Sequence, residues 1–240
     1  MNTHPRSNSP GALRAESPTS DTVGHMTCSV DSPKRPTWRG WMHAAAFVVS
    51  IPASTLLILL ADDATKKTSA AIYGTTLIAM FGLSAAYHRL ARSEVARRRM
   101  QKVDHIGIYF LIAGTYVPFA VVVLPQTWGL PLLAVVASAA VFGAILKVAA
   151  FDKIWWLSYA LYPIMGWAAV ATAPVLIDSL TTFQLAFMVA GGVLYSIGIP
   201  VLFLQRPNPW PRTFGYHEIW HVFVTVAAAS HFVAVASIVA

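Results

Sequence analysis

Seven long apolar runs occupy most of the chain after residue 41. Roughly 20 apolar residues in a helix cross about 30 Å of hydrocarbon, so a run of that length can span a bilayer. The runs are continuous rather than alternating, which favours helices over a β-barrel. The sequence therefore predicts an all-α, polytopic bundle of seven transmembrane helices. The runs lie at residues 42–61, 69–90, 103–124, 130–150, 155–177, 182–204 and 216–240.

The composition agrees with a membrane protein and distinguishes residues 1–37 from the rest of the chain. Only 11% of the 240 residues are charged, whereas about 25% are charged in a soluble domain, so an ordinary soluble enzyme is excluded. Residues 1–37 contain six Ser and five Pro and few large apolar side chains, too few to offset the entropy of ordering. We predict a disordered tail over 1–37 and a membrane domain over 38–240. The single cysteine, Cys28, leaves histidines and carboxylates as the candidate ligands for a metal.

Basic residues are concentrated on one side of the predicted bundle. Fifteen of the seventeen Lys and Arg residues lie in the N-terminal tail, or in the loops and span ends on the same side of the membrane as the tail. The other two, Lys66 and Lys67, lie on the opposite side. Loops rich in Lys and Arg stay in the cytoplasm. We therefore expect a multi-pass protein of the cell membrane with its N-terminus cytoplasmic and its C-terminus outside. Because topology explains the positive charge, we expect no nucleic-acid partner.

Several ionisable side chains fall within the predicted spans, where they are costly and usually mark function. His88, Asp104, His217 and His221 are expected at one depth, because the spans that carry them end or begin on the same side. His217 and His221 are four residues apart and share a helix face. With His88 they would form a three-histidine site with an open position, which is typical of catalytic zinc. Asp104 would hold or deprotonate a water at the metal, and Ser84 would bond Asp104 or a substrate carbonyl.

Simpler structural roles are open for individual polar residues. His43, His105 and His231 are expected to form hydrogen bonds between helices rather than to bind metal. Ser84 taken alone would more often bond back to its own helix. Asp104 taken alone would anchor the boundary of the membrane or stabilise a helix N-terminus. Only the combination of residues favours a metal site.

A second motif overlaps the predicted site. Residues 217–221 read His-Glu-Ile-Trp-His, the H-E-x-x-H pattern of zinc metalloproteases, in which the glutamate, here Glu218, is the general base. Such a protease takes its third ligand from further along the chain, but only His231 follows and its spacing does not match. The third ligand must come from upstream, which favours His88 and a membrane site of another kind.

Four segments of the membrane domain resemble the hemolysin III branch of the progestin and adipoQ receptor family. The resemblance implies a seven-helix bundle with its N-terminus inside and zinc bound by His88, His217 and His221. It further implies that Asp104 hydrogen-bonds the water at the zinc and that Ser84 belongs to the same polar cluster. The segments are residues 36–43 (Pro-Thr-Trp-Arg-Gly-Trp-Met-His), 84–89 (Ser-Ala-Ala-Tyr-His-Arg), 104–118 (beginning Asp-His-Ile-Gly-Ile-Tyr) and 206–221 (ending Gly-Tyr-His-Glu-Ile-Trp-His).

Hydrolysis of a membrane lipid is the activity that this resemblance favours. The wider superfamily resembles alkaline ceramidases in its pattern of one Ser, one Asp and three His residues. Eukaryotic relatives carry a non-acidic residue at the position of Glu218, so Asp104 is the better candidate for the general base. We expect a zinc-dependent hydrolase of lipid amides or esters, with membrane lipids as its partners.

Two other functions are weighed against the hydrolase. The family name suggests a haemolysin that permeabilises target cells, although no cleavable signal for export is evident in the sequence. The other alternative is a non-catalytic receptor or regulator of membrane fluidity, in which zinc would only hold the second and seventh spans together.

Overall fold

A computed structural model describes Met1 and residues 36–240 of the chain. The predicted disorder of residues 1–37 therefore lies almost entirely outside the described residues. The described chain forms helices joined by loops. Besides the α-helices it contains a π-helical turn at Phe119–Val123 and a 3₁₀ helix at Ala168–Thr172. The α-helices are α1 (Trp41–Leu60), α2 (Ala64–Leu90), α3 (Glu94–Pro118), α4 (Gln126–Ala149), α5 (Trp155–Gly166), α6 (Ala173–Ser179), α7 (Thr182–Leu204) and α8 (Tyr216–Val239).

Seven helical segments of the described chain are long and apolar enough to cross a membrane. Five of them are α1, α2, α4, α7 and α8; the third joins α3 to the π-helical turn, and the fifth runs from α5 through the 3₁₀ helix to α6. The predicted all-α bundle of seven spans is confirmed. The membrane face to which each end belongs stays a prediction.

The second and third spans begin earlier than their apolar runs indicate. Asp63 caps α2 and Ser93 caps α3, each by accepting a hydrogen bond from a backbone N–H of the first turn, at 2.9 and 3.1 Å. Such caps satisfy the free amides of a helix start, and the turns they stabilise are polar. A search for apolar runs therefore misses them.

The fifth span is not the single continuous helix that the apolar run at 155–177 suggests. Helix α5 passes through Pro163 and ends three residues later, at Gly166. The backbone N–H of Trp167 bonds the carbonyl of Pro163 at 2.9 Å, and the chain continues as a 3₁₀ helix. Pro174 then lies in the first turn of α6, a position that a proline suits.

Helix α8 occupies a central place in the bundle. Consecutive helices from α1 to α4 pack against one another, and α8 packs against α7, α1, α2 and α3. Residues that face these contacts are fully buried, including Tyr73 on α2, Tyr109 on α3 and Val235 on α8. The end of α2 and the starts of α1, α3 and α8 therefore meet at one end of the bundle.

We call this end of the bundle the basic end. Eleven Lys and Arg residues of the described chain belong to helix ends or joints there, whereas Lys66 and Lys67 lie at the start of α2, at the opposite end. The eleven are Arg39, Arg89, Arg92, Arg97, Arg98, Arg99, Lys102, Lys147, Lys153, Arg206 and Arg212.

Candidate metal centre

Two helices supply the three histidines that the sequence groups together. His88 lies in the last turn of α2, and His217 and His221 lie in the first two turns of α8. Because α8 packs against α2 and both termini lie at the basic end, the three side chains meet at one depth. The predicted convergence is therefore present in the structure.

The imidazole rings form a compact triangle. One ring nitrogen from each of His88, His217 and His221 lies within 4.8 Å of the other two, and the Nε2 atoms of His217 and His88 are 3.2 Å apart. His88 and His221 are buried, with 8% and 3% of their surface exposed. Imidazole nitrogens bind zinc at about 2.0–2.1 Å, so donor atoms this close fit a single ion after small movements.

The sequence also groups Ser84 and Asp104 with these histidines. Both are buried, with 2% and 8% of their surface exposed. Ser84 lies one turn before His88 on α2, and its hydroxyl interacts with the Asp104 carboxylate on α3. The hydroxyl also bonds Nδ1 of His43 at 2.8 Å. The Ser84 hydroxyl thus bonds a residue of α1 instead of bonding back to its own helix.

His43 contributes more to this site than the sequence predicts. Its bond to Ser84 confirms the expected role as a hydrogen-bonding residue between helices. Its ring also stacks on His221, with centroids 3.8 Å apart and an interplanar angle of 2°. The sequence could have predicted this position of His43, because α1 begins at the same end of the bundle as α3 and α8. The same reasoning groups His88, His217 and His221.

Glu218 is held in a structural arrangement on the first turn of α8. Its side chain is 1% exposed and forms an ion pair with Arg39 through Oε1. Its other oxygen accepts a hydrogen bond from the backbone N–H of Gly215 at 2.8 Å. Both carboxylate oxygens are therefore engaged in fixing the start of α8. This arrangement favours Asp104 over Glu218 as the candidate general base.

A short segment before α1 covers the same region, and we call residues 36–40 the entry segment. The backbone N–H groups of Thr37 and Trp38 each bond a carbonyl of the α7–α8 loop at 3.2 Å. Gly40 has a φ of 78°, and a Cβ atom built on it would lie 2.6 Å from Cβ of His88. Only glycine fits this close, left-handed position. The entry segment thus packs directly on the metal-site helices.

The remaining intramembrane histidines lie outside the triangle. His231 bonds the carbonyl of Met188 on α7 at 3.0 Å, which confirms its expected role between helices. His105 does not meet that expectation, because its buried Nδ1 has no hydrogen-bond partner among the described residues. It packs instead against Phe151 and Tyr159, away from the candidate metal site.

Comparisons with known proteins agree with this arrangement. The family model described as Haemolysin-III related matches residues 32–232. The chain is 32% identical to Hemolysin-3 of Bacillus cereus over 193 residues, which cover 79% of this chain and 85% of that protein. It is 31% identical to the Hemolysin-3 homolog of Bacillus subtilis over 193 residues, with 79% and 87% covered. It is also 29% identical over 205 residues to the human monocyte to macrophage differentiation factor, with 81% and 80% covered. With its seven spans and matching length, the chain belongs to the haemolysin III family, within the progestin and adipoQ receptor group.

Proposed function

We propose that this membrane protein is a zinc-dependent hydrolase of lipid amides or esters. The observation that carries the proposal is the His88, His217 and His221 group, of which two members are buried and whose donor atoms lie within 4.8 Å of one another, together with the buried Ser84 and Asp104. Three imidazoles with a nearby carboxylate match the ligand number of catalytic zinc sites rather than that of closed structural sites.

The donor set fits zinc. All three donors are imidazole nitrogens, which suit Zn²⁺, and they are brought together by two packed helices rather than by a mobile loop. Bound at this position, zinc would act as a Lewis acid that polarises the carbonyl of a substrate.

The surrounding residues have distinct roles in this proposal. Asp104 accepts the proton of the attacking water, and the Ser84 hydroxyl orients that carboxylate or stabilises the developing oxyanion. His43 donates or accepts at Nδ1 and so fixes the Ser84 side chain. Glu218 and Arg39 hold α8 in place and do not touch the reacting atoms.

The location of the site supports a lipid substrate. The triangle lies at the end of a bundle whose outer surface is apolar, so a lipid can approach from the bilayer with its carbonyl near the headgroup level. The concentration of Lys and Arg at the basic end supports a cytoplasmic position for this end.

The proposal is tested by measuring the release of fatty acid from ceramides and phospholipids by the purified, zinc-loaded protein. We expect release by the unaltered chain and its loss in Asp104→Asn, with zinc retained in the variant. If no lipid of a broad panel is hydrolysed and Asp104→Asn behaves like the unaltered chain, the proposal is wrong.

A structural role of zinc is the second candidate, because all three histidines come from α2 and α8 and an ion would join these helices. In that case His88→Ala would unfold the bundle, whereas a catalytic site would lose activity and keep its fold. Thermal unfolding of this variant distinguishes the two functions.

Membrane permeabilisation is suggested only by the names of the bacterial relatives. Liposomes that contain the purified protein and a trapped dye test it directly. Leakage that is independent of zinc would favour permeabilisation over hydrolysis.

A further inference from the structure

A second group of intramembrane polar residues lies between α3, α4 and α5, outside the histidine triangle. Its centre is Lys147, in the last turn of α4, which is 1% exposed. The ammonium Nζ lies 4.0 Å from the ring centroid of Tyr159 and 5.3 Å from that of Phe151. Within the described chain, Nζ has no hydrogen-bond partner. A lysine in this setting is expensive and normally has a partner of opposite charge.

Two further basic side chains share the same rings. His105 on α3 packs on Phe151 with centroids 5.7 Å apart and on Tyr159 with centroids 5.6 Å apart. Lys102, one turn earlier on α3, places its Nζ 5.4 Å from the Phe151 centroid and donates one hydrogen bond, at 3.3 Å, to the carbonyl of Val148. We call Lys102, His105, Lys147, Phe151 and Tyr159 the basic–aromatic cluster.

No carboxylate neutralises this cluster within the part of the chain that the structure describes. The ion pairs found there are those of Arg39 with Glu218 and of Lys66 with Asp62. The aromatic rings stabilise the ammonium groups only in part, since a cation–π contact supplies no hydrogen-bond acceptor. Lys147 has three N–H donors, and the buried Nδ1 of His105 is also without a partner among the described residues. The cluster therefore combines a buried positive charge with hydrogen-bonding atoms that no described residue satisfies.

The position of the cluster identifies a membrane source for an anion that balances this charge. It lies at the basic end between α3, α4 and α5, next to the exposed rings of Trp155 and Trp156. Tryptophan is enriched at the headgroup level of membranes. Lys153, exposed in the preceding loop, adds a further positive charge at this level. Basic pockets between transmembrane helices at this depth bind the headgroups of anionic lipids.

We propose that the basic–aromatic cluster binds the phosphate of an anionic phospholipid. The phosphate oxygens accept hydrogen bonds from Lys102, Lys147 adds its positive charge from beneath the rings of Phe151 and Tyr159, and those rings pack against the glycerol portion. The site is separate from the histidine triangle and does not depend on zinc.

The test uses the purified full-length chain with phosphatidylglycerol and phosphatidylcholine that carry the same acyl chains. Native mass spectrometry gives the ratio of the two lipids retained. We expect a preference for phosphatidylglycerol that falls about fivefold in Lys147→Met, the ratio equivalent to the roughly 1 kcal/mol expected for each basic side chain near anionic lipid. Lys67→Met, which removes an exposed charge at the opposite end, is the matched control and should keep the preference.

A second variant and the removal of zinc test the same site. If Lys147→Met does not fold, Lys102→Met tests the same site and should also lower the preference. Removal of zinc by a chelator should leave the preference unchanged. A preference in Lys147→Met equal to that of the unaltered chain, or no preference in the unaltered chain, would overturn the proposal.

A final arm separates the lipid from the free anion. Phosphatidylglycerol should raise the melting temperature of the unaltered chain more than that of Lys147→Met, because a ligand that binds the folded state stabilises it. Millimolar inorganic phosphate alone should leave the melting temperature unchanged. If inorganic phosphate gives the same stabilisation as the lipid, the assignment to a phospholipid is wrong.

Discussion

In the proposed site, single residues around the histidine triangle either bind the metal or assist the reaction. In this proposal His88, His217 and His221 supply the donor atoms, whereas Asp104 and Ser84 interact with one another and do not bind the metal. The two groups should therefore respond differently to substitution.

Asp104→Asn should keep zinc and lower the rate of lipid hydrolysis by roughly 10²–10⁴, the usual contribution of a general base. The asparagine has the same size but cannot take up a proton from water. Zinc content and fatty-acid release, measured on the same preparation, check this expectation. Loss of zinc together with activity would instead make Asp104 part of the metal site.

His43 can be tested by separating its two contacts. His43→Phe keeps a ring that can stack on His221 but removes the hydrogen bond to Ser84, and leaving a buried polar group without its partner costs about 1–3 kcal/mol. His43→Asn places an amide where Nδ1 lies and keeps that bond. With zinc content equal in both variants, we expect hydrolysis to fall roughly tenfold in His43→Phe and less in His43→Asn. Equal loss in both would contradict a role for His43 through Ser84.

At the level of elements, the entry segment, the start of α8 and the end of α2 form one packed unit. Two backbone hydrogen bonds join the entry segment to the α7–α8 loop, and the pair of Arg39 with Glu218 joins it to α8. The positions of the candidate metal ligands thus depend on residues outside the histidine triangle.

Gly40→Ala should weaken this unit. A left-handed conformation costs a non-glycine residue roughly 1–2 kcal/mol, and the added methyl group would lie 2.6 Å from Cβ of His88. We expect a lower melting temperature and weaker zinc binding. Gly192→Ala on α7 is the control, because a Cβ atom there meets nothing within 4 Å, and it should leave both properties unchanged.

The ion pair between Arg39 and Glu218 should contribute more to stability than the exposed pair between Lys66 and Asp62. Arg39→Met leaves the carboxylate of Glu218, which is 1% exposed, without its counter-ion, and breaking a buried pair in this way costs roughly 3 kcal/mol. Lys66→Met breaks a pair whose aspartate is 68% exposed and should cost less than about 1 kcal/mol. Chemical unfolding in detergent measures both. Equal effects would mean that the pair does not secure α8.

Glu218→Gln separates stability from catalysis at the same position. The amide can still accept from the Gly215 N–H, so we expect a moderate loss of stability with hydrolysis retained in the folded fraction. A folded Glu218→Gln variant that keeps zinc but no longer hydrolyses lipid would restore Glu218 as the general base.

For the whole molecule, the sequence predicts the spans and the triangle because both follow from local rules. Apolar runs of membrane length become helices whatever their neighbours are. Because successive spans cross the membrane in alternating directions, the end of the second span and the start of the seventh, which carry His88 and His221, lie at the same end of the bundle. The change to a 3₁₀ helix after Gly166 and the capped starts of α2 and α3 do not follow from the apolar runs, because such a run indicates the length of a span and not its backbone hydrogen bonding.

Other features depend on packing between distant segments and could not be predicted from a single sequence. The pairing of Arg39 with Glu218 joins residues 179 positions apart. Likewise, the sequence shows Lys147 only as one more positive charge near the loop after the fourth span. The packing of α3, α4 and α5 is what places it against Tyr159.

The measurement that tests the central claim most directly is metal content by mass spectrometry on detergent-purified protein, without chelators. The unaltered chain is compared with His88→Ala, His217→Ala and His221→Ala. We predict about one zinc per chain, the stoichiometry of a three-histidine catalytic site, and its loss in each variant. An unaltered chain without zinc, or variants that keep it, would contradict a metal centre formed by these three histidines.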